Sequence, residues 1–165
     1  MRRLAPAVLG ILVVLTFVVI RFSTPTRVPE MHLTDLDGRP VDWQRFEGKV
    51  VLVDFWATWC GPCQATMPEL QAVQEQWEGR GFTVLGISAD REGAAVVERF
   101  VDRYGLTFPV AIDDPEHSVM ARFGAHALPT SYLVDRKGRI VHHWTGAGDP
   151  KVLEDRLAEL LLPES

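Results

Sequence analysis

Apolar and polar positions along this chain fall into short strands and helices that take turns. Val50–Phe55 is apolar except for Asp54, the pattern of a central strand covered on both faces. Met67, Leu70, Val73 and Trp77 then recur at i, i+3/i+4 spacing, which predicts a helix from near Cys60 to about Trp77. Pro62 suits its first turn, where a missing N–H costs nothing, and Gly79 and Gly81 end it. Phe82–Ser88 is the next strand. Val96, Val97, Phe100 and Val101 mark a helix over Glu92–Tyr104, with Gly105 as its stop. A short strand over Phe108–Ile112 and a short helix over Pro115–Phe123, capped by Asp114, follow.

The ends read as hairpins and one last helix. Met31–Val41 turns at Asp37-Gly38, and Asp42 caps a helical turn through Phe46 that Gly48 stops. Ser131–Val134 and Arg139–Trp144 pair across Arg136-Lys137-Gly138. Lys151–Leu162 is amphipathic through Val152, Leu153, Leu157, Leu160 and Leu161. Strands alternating with helices, then a closing hairpin, indicate the α/β class with a mixed central sheet flanked by helices.

Before the first hairpin, Leu4–Ile20 carries no charge and follows Met1-Arg2-Arg3. At ~1.5 Å per residue it spans roughly 25 Å, workable for a ~30 Å hydrocarbon core with Arg21 and Phe22 extending it. The alternative is a cleaved signal peptide, but Arg21-Phe22-Ser23-Thr24-Pro25-Thr26 fits an A-x-A-like cleavage site poorly. The expected organisation is a transmembrane anchor or signal peptide over 1–22, a stiff linker over 23–29 and one domain over 30–165. The positive-inside rule leans to a cytoplasmic N-terminus. The domain is then expected on the extracytoplasmic, periplasmic side of a bacterial cytoplasmic membrane, held by a single pass.

Charge is uneven. The first 27 residues hold four arginines and no acid, whereas the remainder holds 13 Lys/Arg against 22 Asp/Glu. An acidic body argues against nucleic acid as a ligand. The 165 residues, 47% of them apolar, suffice for one domain with a proper core, expected to be a monomer.

Cys60 and Cys63 are the only cysteines. A structural disulfide closing so small a loop adds little stability. Zinc needs four ligands, and His32, His117, His126, His142 and His143 do not supply the spacing. His142 and His143, adjacent on a strand, point to opposite faces and do not chelate together. No metal and no bound cofactor is expected beyond a redox-active Cys60–Cys63 disulfide. A C-x-x-C at a strand-to-helix junction, with Gly61-Pro62 between the sulfurs and Trp59 before them, implies thiol–disulfide exchange. Cys60 at the helix N-terminus favours the thiolate, lowering its pKa below the ~8.5 of a free cysteine. Cys63, one turn on, resolves the mixed disulfide. Asp54, in an apolar strand, is expected to be desolvated, with a raised pKa, and to take the proton from Cys63.

Gly48 through Cys63, followed by Met67-Pro68-Glu69-Leu70, resembles the membrane-anchored TlpA/ResA-type branch of the thioredoxin superfamily. The resemblance covers about residues 30–162. It implies a thioredoxin-like fold with an N-terminal hairpin, and Asp90–Ile112 resembles that branch's inserted segment. Ala127-Leu128-Pro129-Thr130-Ser131-Tyr132 resembles the family's cis-proline loop, which makes Pro129 the cis-proline and the Leu128 backbone a pairing site for extended substrate. Trp59, Gly61 and Pro62 complete the substrate-binding rim, and Trp56 is either part of it or core. Two departures stand out. Thr66 occupies the place where the branch commonly carries Glu, an acid that resembles part of the proton network in cytochrome c-maturation members. Asp54 stands where many members have Asn and resembles thioredoxin itself. Thr66 and His126 otherwise read as helix surface and loop.

The implied partners are protein substrates with disulfides, apocytochrome c among them, and a transmembrane thiol carrier as electron donor. The Cys-Gly-Pro-Cys run matches thioredoxin, reducing at about −270 mV, rather than an oxidant like DsbA at about −120 mV. A reductase is therefore the leading expectation. A disulfide-forming oxidase and a non-enzymatic copper-handling dithiol protein are the alternatives. A thiol peroxidase needs T-x-x-C, and Ala57 stands three before Cys60.

Overall fold

The two apolar runs become the centre of one seven-stranded sheet in the computed structural model, which describes residues 26–161. Strands β1 (Leu33–Asp35), β2 (Pro40–Val41), β3 (Val50–Trp56), β4 (Phe82–Ser88), β5 (Val110–Asp113), β6 (Thr130–Val134) and β7 (Ile140–Thr145) lie in the order β2-β1-β5-β4-β3-β6-β7. The central trio β3, β4 and β5 is parallel, and the flanking pairs are antiparallel. Helices α1 (Gly61–Trp77), α2 (Ala94–Tyr104), α3 (Val119–Phe123) and α4 (Pro150–Leu161) supply the cover.

All seven residues of β3 and all seven of β4 are buried. Alternation splits them between two cores. Val50, Leu52 and Trp56 face Met67, Leu70 and Trp77 of α1, Val97 and Phe100 of α2, and Leu153 and Leu157 of α4. Val51, Val53 and Phe55 pack with Val119 and Phe123 of α3 and with Leu33, Val41 and Phe46 from the N-terminal hairpin and the 3-10 turn after it. Asp54 shares the parity of Leu52 and Trp56, so its carboxyl is driven into the first core. Gly86 of β4 lies under the Trp56 indole, where an added Cβ would stand 3.0 Å from Nε1 and 3.1 Å from the Phe108 ring.

Several boundaries differ from the sequence pattern. The turn at Trp43–Phe46 forms, but as a 3-10 turn, and Asp42 makes no side-chain cap. Helix α2 starts at Ala94 rather than Glu92, because Gly93 takes φ 90°, outside the helical region. Strand β5 sits slightly later than Phe108–Ile112. The helix expected over Pro115–Phe123 begins only at Val119, capped by Ser118, whose Oγ accepts from the Ala121 N–H at 3.2 Å. Asp114 instead organises a preceding turn, accepting the Glu116 N–H at 2.8 Å and meeting His117 Nδ1 at 2.9 Å. Asp113 accepts from Ser118 Oγ and from the N–H groups of Val119 and Met120, so it stabilises the helix start. Val152 lies on the exposed side of α4, not on the buried stripe.

The expected anchor over 1–22 and residues 23–25 of the linker over 23–29 lie outside the described residues. Among the described residues, no helix is long and apolar enough to cross a membrane.

Candidate active site

Strand β3 ends at Trp56, and the chain turns through Ala57, Thr58 and Trp59 into α1. Cys60 is the N-cap of α1, in extended backbone (φ −86°, ψ 102°), and its Sγ accepts the Cys63 N–H at 3.3 Å. This is the position where unpaired helix N–H groups favour a negative charge. The two sulfurs are bonded, with Cα atoms 5.2 Å apart. Cys63 is fully buried and Cys60 nearly so, while Trp59 beside them is 65% exposed. Gly61 and Pro62 form the exposed first turn of the helix. Trp56 is buried to its last atom and packs 4.9 Å from the Phe100 ring, which makes it core rather than rim.

Pro129 follows a cis peptide bond from Leu128, as the resemblance implied. It precedes Thr130, which pairs with Phe55, so this loop lies at the end of the sheet from which the redox turn departs. Leu128 is half-buried and Pro129 buried.

Asp54 is 2% exposed and pairs directly with Ser131 across the β3–β6 ladder. Ser131 Oγ donates to Asp54 Oδ1 at 2.6 Å, and Oδ2 finds no hydrogen-bond partner among the described residues. Burial pushes the carboxyl from 3.8 up to about 7, against the smaller downward pull of the Ser131 hydroxyl. A carboxyl at that value exchanges protons near neutrality. It lines a narrow cleft of about 30 Å³ together with Thr66, Glu69, Leu70, Pro129, Trp144 and Asp149. That is room for about one or two waters.

The sequence pattern placed Thr66 on the helix surface. The structure makes it a half-buried wall of the Asp54 cleft, with its Oγ1 donating to the Cys63 carbonyl at 3.0 Å. Two further participants escaped sequence reasoning. Ser131 reads from the sequence as a strand and proline-loop residue with no assigned role. Asp90, seen only as the start of an insertion, is 3% exposed and hydrogen-bonded to Thr58, two residues before Cys60. No local spacing links 54 with 131 or 58 with 90. The only available signals were an acid in an apolar strand and an acid directly after one. His126 is exposed, as expected of a loop residue. His142 lies beside Trp144, and burial holds its pKa below the usual histidine value. His143 stacks on Tyr132, so the adjacent histidines do occupy opposite faces.

Known proteins resemble this chain. Residues 25–143 match the model of the AhpC/TSA family. The thiol-disulfide oxidoreductase ResA of Bacillus thuringiensis (strain Al Hakam) is 35% identical over 132 residues, 80% of this chain and 75% of that protein. ResA of Halalkalibacterium halodurans is 36% identical over 133 residues, 81% of this chain and 74% of that protein. A Chlorobium tepidum crystal structure, assigned as the thiol:disulfide interchange protein DsbE, superposes with a TM-score of 0.76 at 29% identity, over 85% of this chain and 99% of that one. With its C-x-x-C pair set at a helix N-terminus on a thioredoxin-like sheet, the chain belongs to the AhpC/TSA family, within which it is a thiol–disulfide oxidoreductase of the ResA/DsbE type.

Proposed function

We propose that the chain is an anchored extracytoplasmic reductase of protein disulfides. The observation that carries this is the Cys60 sulfur at the N-cap of α1, bonded to Cys63 and next in sequence to the exposed Trp59. In the reduced enzyme the Cys60 thiolate attacks one sulfur of a client disulfide. A Cys60–client disulfide forms, the client S–S bond breaks, and the departing client sulfur takes a proton. The Cys63 thiol then loses its proton to the buried Asp54 carboxylate and attacks the Cys60 sulfur. The Cys60–Cys63 bond forms, the mixed disulfide breaks, and the second client sulfur leaves and takes up the proton held on Asp54. Two electrons and two protons pass to the client, so a donor dithiol must restore the enzyme. A transmembrane thiol carrier fits that role.

Support for the reducing direction comes from the Cys-Gly-Pro-Cys run, whose chemistry matches a low-potential couple. Support for the location comes from the uncharged Leu4–Ile20 segment behind Arg2 and Arg3. Apocytochrome c fits as one client among others rather than a dedicated one, because Thr66 places a hydroxyl where the branch commonly carries Glu, and the other acids of the Asp54 cleft, Glu69 and Asp149, stand at different positions. Ala57 in place of the required threonine speaks against a peroxidase.

Equilibration of the full-length protein with glutathione buffers tests the direction. A potential near −270 mV supports a reductase, and one near −120 mV makes the chain an oxidase. Cys63→Ala, expressed in cells, is expected to accumulate client proteins covalently held on Cys60. Their release by reductant and identification by mass spectrometry name the client class. A membrane-impermeant maleimide that reaches Cys60 only after the membrane is broken would overturn the location.

A further inference from the structure

The corner that carries Cys60 is held by a carboxylate from another loop. The Thr58 N–H donates to Asp90 Oδ2 at 2.8 Å, and the Thr58 hydroxyl donates to Asp90 Oδ1 at 2.5 Å. The Thr58 carbonyl accepts from Gln64 Nε2 at 2.7 Å, which ties the same residue to the first turns of α1. Asp90 is fixed in its turn. Its Oδ2 also accepts from Ser88 Oγ at 2.7 Å, and the Ser88 Oγ accepts the Asp90 N–H at 3.0 Å. Ser88 is fully buried and Asp90 is 3% exposed.

A buried carboxylate is costly unless its lone pairs are filled, and even then it is a poor source of stability compared with apolar packing. Its merit is directional. Here three donors fill it, and two of them belong to one residue of the redox loop. Besides Gln64, the loop is otherwise held by backbone, with the Ala89 N–H on the Trp56 carbonyl at 2.8 Å and the Cys60 N–H on the Ala57 carbonyl at 3.1 Å. Those bonds fix the ends of the three-residue turn. The Thr58–Asp90 pair fixes its middle, and so sets where Trp59 projects and how Cys60 enters α1.

We propose that Asp90 is a positioning residue for thiol–disulfide exchange, acting through Thr58 to keep the Cys60 sulfur on the N-terminal amides of α1. It does not touch substrate or sulfur. The proposal rests on Cys60 being the attacking thiolate. It also makes the loop into α2 a support of the redox corner, rather than an insertion independent of the chemistry.

The test is the pH dependence of Cys60 alkylation in the reduced full-length protein, read by mass spectrometry for wild type, D90A, D90N, T58A and T58S. Thr58→Ala carries no charge change, and the half-buried Thr58 can lose a hydroxyl without loss of the fold. A sulfur that drifts from the helix amides titrates higher. Asp90→Ala and Thr58→Ala are expected to raise the midpoint and slow alkylation below it by roughly three- to tenfold. Thr58→Ser, which keeps the hydroxyl, restores the wild-type curve. Asp90→Asn, whose oxygen still accepts the Thr58 N–H, falls between wild type and Asp90→Ala. The reduction potential should shift in the order set by the midpoints. If Asp90→Ala and Asp90→Asn lower the midpoint alike while Thr58→Ala leaves it unmoved, Asp90 acts only as a distant charge and the proposal falls. If no variant moves the midpoint, the network is structural and the proposal falls likewise. A wild-type Cys60 no more acidic than a free thiol would instead sink the reading of Cys60 as nucleophile, a different failure with its own signature.

Discussion

Asp54→Asn should make the protein more stable in mild alkali and leave the gain much smaller in mild acid. The reason is linkage. The Asp54 carboxyl titrates at about 7 in the folded protein against 3.8 for the free group, so the folded state holds its proton across that window and the unfolded state does not. A pKa raised on folding stabilises the protein fully below the unfolded value, and that contribution is lost as pH rises towards the folded value. The whole interval is worth roughly 4 kcal/mol at ~1.36 kcal/mol per unit. Between about pH 5 and about pH 8 the loss is roughly 3 kcal/mol, since about two units of the interval lie above pH 5. His142, whose pKa is lowered mainly by burial, works in the opposite direction in the same range. It is common to wild type and variant and cancels in their difference. Asn keeps an oxygen for the Ser131 hydroxyl and replaces the unpartnered Oδ2 with an amide nitrogen. That buried amide costs about 1–3 kcal/mol at every pH. The measurement is urea unfolding of oxidised wild type and variant at both pH values. The stability difference between them should grow by roughly 3 kcal/mol from acid to alkali, or about 1.5 M in midpoint at a typical slope near 2 kcal/mol/M. A difference that does not change with pH would mean that Asp54 ionises at its ordinary value. It would then have no claim as a proton acceptor near neutrality.

Trp59→Ala should change stability by less than about 0.5 kcal/mol, because the side chain is 65% exposed. The same change should lower kcat/KM for a protein disulfide by about tenfold, as expected for an aromatic interface anchor, while leaving reduction of a small disulfide near wild type. Steady-state assays on insulin and on a small aromatic disulfide separate the two. Leu157→Ala empties a fully buried site between α4 and the sheet and should cost about 2–5 kcal/mol by denaturant unfolding, with the Cys60 alkylation curve unchanged.

The parts of this fold that sequence made legible are those whose physics is local or periodic. Strands β3 and β4 follow from apolar runs that only a two-sided core accommodates. Helix α1 follows from an apolar stripe, and the redox pair from four contiguous residues at its start. The start of α2 is misplaced because Gly93 leaves the helical region, and that of α3 because two neighbouring groups compete for the same backbone donors. Asp113 and Asp114 are both competent to organise the chain ahead of α3, and the pattern does not say which takes the helix and which takes the turn. Val152 is misassigned for a different reason, since a run of Val152, Leu153, Leu157, Leu160 and Leu161 has more apolar positions than the sheet covers, and only Leu153 and Leu157 are buried. The chemistry behind the sulfurs was illegible on different grounds. Ser131 reaches Asp54 across 77 residues, and Asp90 reaches Thr58 across 32. Sheet order alone creates both meetings, because β6 and β4 flank β3 and all three open towards the same end. One neighbour of β3 thus supplies the hydroxyl that meets the buried acid, and the loop after the other supplies the carboxylate that steadies the corner. The two cysteines announce the reaction, while the strand order brings together the groups proposed to tune it.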